Sequence, residues 1–161
     1  MALRERLPGA PVLVMGPLIP GEEPEVHGVE VASPSGAPTG IRESETSNGW
    51  YTLRVGDTSD QVTGEQTYEL SYTLTGAVTE DGRGRPELYW DFIGTGWSVP
   101  IDSAQVTVDA PGIEDVQCAV GDEEEGWEED CATSEHRGEQ AEFAADGLGS
   151  GAALTAAVRM P

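Results

Sequence analysis

Apolar residues recur at every second position in segment after segment of this chain, and almost nowhere at the spacing of a helix. In "TYELSYTL", Tyr68, Leu70, Tyr72 and Leu74 point one way while Glu69, Ser71 and Thr73 point the other. A strand of this kind has one dry and one wet face. The same alternation runs through Tyr51, Leu53 and Val55; Ala104, Val106 and Val108; Val116, Cys118 and Val120; Ala141, Phe143 and Ala145; and Leu154, Ala156, Val158 and Met160. Adding "VHGVEVA" from Val26 and "ELYWDFI" from Glu87 gives about eight strands. Turn-forming runs separate them: "SPSGAP", "SNG", "GDTSD", "EDGRGRP" and "DGLGSG".

Half-wet strands must bury their apolar faces against a second layer, so the expected fold is an all-β, antiparallel, immunoglobulin-like β-sandwich. A chain of 161 residues suits one such domain, placed over residues 21–161. Residues 1–20 read as an irregular N-terminal arm. Arg4 and Arg6 precede a short apolar run there, but Pro8, Pro11, Pro17 and Pro20 break any signal-peptide helix.

Charge narrows the partners. Thirty Asp and Glu face eight basic residues, all Arg, for a formal net charge of −22. Such a surface repels phosphate backbones and anionic headgroups, so nucleic acid and direct lipid binding are not expected. No stretch approaches the roughly 20 apolar residues of a membrane-spanning helix. Any membrane attachment would run through segments outside this chain.

Motifs for catalysis are sparse. The sequence contains no G-x-S-x-G, H-E-x-x-H or Walker A motif, and His27 and His136 stand without an evident acid–base partner. "GLGSGA" at Gly147 matches a dinucleotide fingerprint in letters only and reads as a hairpin turn. In "GDEEEGWEED", Gly121 to Asp130, seven of ten residues are acidic, without the ligand spacing of an EF-hand. The loop reads as solvated, with weak and diffuse calcium binding, and Asp57 and Asp60 read as turn residues. No catalytic, cofactor-binding or metal site is assigned, and no enzyme is expected. A secreted hydrolase using carboxylate or metal chemistry is the alternative, resting on the abundance of Asp and Glu.

Two features carry the candidate site. Cys118 and Cys131 are the only cysteines, with twelve residues between them. An even count in a small Gly-rich β domain fits a disulfide, and hence an oxidising compartment, while two unconnected thiols are the alternative. "ELYWDFIGTGWSVPID" holds Tyr89, Trp90, Phe92 and Trp97. Strict alternation places Leu88, Trp90 and Phe92 on one face and Tyr89, Asp91 and Ile93 on the other, with Trp90 in the core. The glycines of Gly94-Thr95-Gly96 can adopt positive φ and would fold Trp97 back over the strand end. These aromatics read as structural packing, with an exposed ligand platform as the alternative.

Taken together, "SPSGAP", "YTLRVGD", "VTGEQTYELSYTLTGAV", "ELYWDFIGTGWSVPI", Cys118 and the closing "LTAAVRMP" resemble the N-terminal extracytoplasmic domain of predicted bacterial membrane proteins, domain-of-unknown-function family 2207. The resemblance runs from Val26 to Pro161. It implies a β-sandwich outside the cytoplasmic membrane, a cysteine pair near its end, a preceding signal peptide and following transmembrane segments. The chain lacks the family's first hairpin and a Gly-Ile-Tyr-Arg-like segment, which implies a truncated or mis-started piece ending before a transmembrane segment. The family brings no activity. The expected role is a binding or structural module on the extracytoplasmic face of the bacterial membrane, with a protein or cell-envelope ligand as partner and no cofactor.

Overall fold

The computed structural model describes residues 2–5, 12–17, 25–45, 50–56, 62–122 and 126–161. Among them no helix occurs, and every strand pairing is antiparallel. The chain divides into two compact units, Met1–Thr75 and Gly76–Pro161, where the sequence suggests one sandwich over 21–161.

The first unit holds β1 (Ala2–Glu5), β2 (Val12–Pro17), β3 (Glu25–Ala32), β4 (Ile41–Glu45), β5 (Trp50–Val55) and β6 (Gln66–Thr75). They form two three-stranded sheets, ordered β1-β6-β3 and β2-β5-β4. The N-terminal residues expected to be an irregular arm thus contribute two strands. Pro17 falls where the β2–β5 register shifts, a place where a missing N–H is tolerated; Pro8, Pro11 and Pro20 lie outside the described residues. In β6 the expected alternation holds, with Tyr68, Leu70, Tyr72 and Leu74 half-buried and Glu69, Ser71 and Thr73 exposed. Facing it, β3 carries an extra residue between His27 and Glu30, and Gly28 supplies the positive φ of 60° that such a bulge demands. The turn after β3 is tied to β6: Ser33 Oγ donates to the Thr67 carbonyl at 2.8 Å, and the Thr67 N–H donates to Ser35 Oγ at 3.0 Å.

The second unit holds β7 (Val78–Glu80), β8 (Pro86–Ile93), β9 (Ile101–Asp109), β10 (Asp115–Asp122), β11 (Trp127–Asp130), β12 (Thr133–Arg137), β13 (Gln140–Leu148) and β14 (Ala153–Arg159). A five-stranded sheet, β11-β10-β14-β8-β7, packs on a three-stranded one, β12-β13-β9. Contact between the layers runs through β10 against β12 and β13, and β14 against β13. This is the antiparallel sandwich that the alternation demands.

Its core is built from small and medium side chains. Ala141, Phe143 and Ala145 of β13 and the core-facing Leu154, Ala156 and Val158 of β14 are all buried, and Phe143, Leu154 and Val158 are its largest fully buried side chains. Beyond Ala145 the inward parity changes. Gly147, at φ 67°, breaks the pleat, so that Leu148 and its partner Ile101 turn inward instead of Gly147 and Asp102. All eight strands read from the sequence are present. The six it misses, β1, β2, β4, β7, β11 and β12, each lie at the edge of a sheet.

Candidate functional site

Register across the five-stranded sheet places the two sequence features in one row. On the core-facing side Cys118 stands beside Ala156, and Ala156 beside Trp90. Cys131 follows β11 and extends the row: its N–H donates to the Cys118 carbonyl at 3.2 Å, and the two cysteines form a disulfide with Cα atoms 5.4 Å apart. The bond closes the base of the β10–β11 hairpin, whose acidic turn includes residues 123–125, outside the described residues.

The aromatic strand departs from strict alternation. Asp91 pairs with Thr155 and Ile93 with Leu154, leaving Phe92 as the extra residue of a bulge. Ile93 therefore joins Leu154 in the core at 4 % exposure, where unbroken alternation would send it to the face of Tyr89 and Asp91. Trp90 is half-buried instead of forming the core centre, as are Leu88 and Phe92. The reason is position: the second layer packs on β10 and β14, and β8 lies one strand further out. Tyr89, on the outer face, is 63 % exposed.

Trp97 is buried, and its backbone is fastened. Its carbonyl accepts the Gly151 N–H at 2.8 Å and lies 3.5 Å from Ser150 Oγ, tying the β8–β9 connection to the turn entering β14. The turn chemistry differs from expectation, since among the described residues positive φ falls on other glycines and not on Gly94 or Gly96.

Two charged clusters are not visible as sites in the sequence. Outward-facing Arg159 sits between Asp115 and Glu87 in register. Its guanidinium bonds Glu87 at 2.6 Å, Gln117 at 3.2 Å and Asp115. The alternation marks Arg159 as outward, but only register supplies its partners. Asp81, in the turn read as "EDGRGRP", accepts the Arg85 N–H at 3.0 Å and the Arg83 N–H at 2.8 Å on one oxygen, and the Arg85 side chain at 2.8 Å and 2.9 Å on the other. The Arg85 backbone bond above all, then that from Arg83 and the Arg85 side chain, hold its pKa down to about 2 against opposing desolvation.

Elsewhere the geometry is that of a surface. Asp91, Asp102, Glu128, Glu129, Asp130 and Glu142 are exposed. His136 lines a recess with Glu135, Arg137, Gln140 and Glu142, while His27 Nε2 is 3.3 Å from Thr75 Oγ1. Among the described residues no group of three or more His, Cys, Asp or Glu is arranged to hold a metal ion. Asp57 and Asp60 lie outside the described residues. The "GLGSGA" stretch forms the β13–β14 turn, with the Ala152 N–H donating to the Gly149 carbonyl at 3.1 Å.

Among the described residues, no helix is long and apolar enough to cross a membrane. No curated protein and no solved structure matches the chain. Residues 20–160 match a family model described as the N-terminal domain of a predicted membrane protein. Spanning most of the chain, that match makes this protein a member of the DUF2207 family.

Proposed function

We propose that the chain is the extracytoplasmic part of a membrane-anchored bacterial protein and serves as a binding or structural module without catalysis. The observation that carries this reading is the Cys118–Cys131 disulfide, because such bonds persist in oxidising compartments. Family membership supports the membrane association. Two carboxylates largely shielded from water, Asp81 and Glu87, are engaged by Arg85 and Arg159 in fixing a turn and a strand end, which is scaffold work. Charge complementarity favours a basic protein or cell-envelope ligand and disfavours nucleic acid.

Trypsin added to intact spheroplasts expressing the full-length protein tests location. The expected result is removal of this region without lysis; protection until the membrane is opened would overturn it. For the non-catalytic part, the purified chain is incubated with chromogenic glycosides, esters and phosphodiesters, and then with isolated cell-envelope material. Retention on the envelope without turnover is expected. Sustained hydrolysis of any substrate class would overturn the assignment.

A further inference from the structure

The arginines of the second unit are not scattered. Arg83 and Arg85 occupy the β7–β8 turn, Arg137 ends β12, and Arg159 ends β14. Register brings these places together: Arg159 is opposite Glu87 at the start of β8 and Asp115 at the start of β10, and Arg137 is opposite Gln140, itself opposite Asp109 at the end of β9. The link from β9 to β10 is bonded at this end to each layer in turn, the Ala110 N–H to the Glu139 carbonyl and the Glu114 N–H to the Arg159 carbonyl, each at 2.9 Å. The opposite end, with Thr95, Asp102, Asp122, Glu128, Asp146 and Gly149, carries carboxylates and none of the unit's arginines. Carboxylates occur at both ends; arginines occur at one.

That same end holds residues 159–161, and they are fastened there. Arg159 is held by two carboxylates, the Met160 N–H donates to the Pro86 carbonyl at 3.0 Å, and the Pro161 ring lies 3.0 Å from where a side chain on Gly112 would begin. The family is described as the N-terminal domain of a predicted membrane protein, and in such an arrangement a membrane portion would come after the matched residues 20–160. We infer that the arginine-bearing end of the second unit, with residues 81–85, 110–114 and 138–139, faces an anionic lipid surface, and that the opposite, arginine-free end points away. The tether supplies proximity. The charge difference supplies direction, since an anionic leaflet repels the arginine-free end more strongly than the end where exposed Arg83 and Arg137 offset the carboxylates. This rests on the membrane association in the proposed function, not on the side of the membrane or on a ligand, so a failed topology test leaves it standing.

The test uses the chain with a C-terminal hexahistidine tag, held on vesicles containing nickel-chelating lipid and gadolinium-headgroup lipid. Single nitroxides are placed at P111C or E139C near the tether, and at T95C or G149C at the far end, about 30 Å away for strands of this length. Relaxation enhancement is expected to be several-fold larger at 111 and 139. Replacing phosphatidylcholine with phosphatidylglycerol widens that gap, and the R83E/R137E double variant, at two exposed positions outside the packed core, abolishes the widening. Equal enhancement at all four positions, a larger effect at 95 and 149, or a gap indifferent to both lipid charge and the double variant would overturn the inference.

Discussion

Strands β8 and β14 are paired neighbours, in register except for the bulge at Phe92, yet they differ in the direction opposite to their composition. β8 carries Tyr89, Trp90 and Phe92, while β14 is "ALTAAVR", and it is β14 whose core-facing Leu154, Ala156 and Val158 are buried. Trp90 lies opposite Ala156 and remains half-buried. Burial here is set by where the second layer rests, not by how much apolar surface a strand offers. Because β14 is central and lies against β13, even alanine there is sealed; β8, next to the short edge strand β7, is not.

The largest consequence falls on β14. Leu154→Ala should destabilise the unit by about 2 to 5 kcal/mol, because a fully buried side chain leaves a cavity between two layers. Urea unfolding followed by tryptophan fluorescence reads it, and a loss below about 1 kcal/mol would break the contrast between the strands.

The disulfide comes next. Reducing Cys118–Cys131 should cost about 3 kcal/mol, the loop-closure value for a link of this span. Unfolding curves with and without reductant measure it, and an unchanged midpoint would show that the hairpin needs no staple.

On the outer face, Arg159→Met should cost about 1 to 3 kcal/mol, because Glu87, only 14 % exposed, loses its partner. Pairing the change with Glu87→Gln should recover part of the loss in a double-mutant cycle. Purely additive losses would mean that the strand end is held by backbone bonds alone.

The smallest effect is titration of Asp81. Its folded pKa of about 2 lies below the usual 3.8, so its stabilisation is present above about pH 4 and is lost as pH falls toward 2. Asp81→Asn should flatten the acid dependence of stability in that window. An unaltered pH profile would remove Asp81 from the account.

What was legible in the sequence follows the same physics. A period-two pattern appears only in a strand with one dry face, which is why the eight strands that carry apolar alternation were readable, β3 and β9 at sheet edges included, and the other six edge strands were not. "IRESE", "VTE", "WEED" and "TSEHR" are short and polar, as edges that must avoid further pairing tend to be. Bulges were equally hidden: nothing in "ELYWDFI" announces that Phe92 is an extra residue, yet that displacement moves Ile93 from the wet face into the core. The disulfide was half legible, since the spacing allowed a link and the hairpin register joined the pair. The Arg159 cluster was not, because its partners lie 44 and 72 residues away and meet only through register.

The central claim is that the second unit is held by the β13–β14 layer contact and that the aromatic strand lies at its margin. Equilibrium unfolding of Phe143→Ala beside Trp90→Ala tests it most directly. The account predicts a loss of about 3 to 5 kcal/mol for Phe143→Ala and less than half of that for Trp90→Ala, despite the larger side chain removed. A loss for Trp90→Ala equal to or greater than that for Phe143→Ala would contradict it.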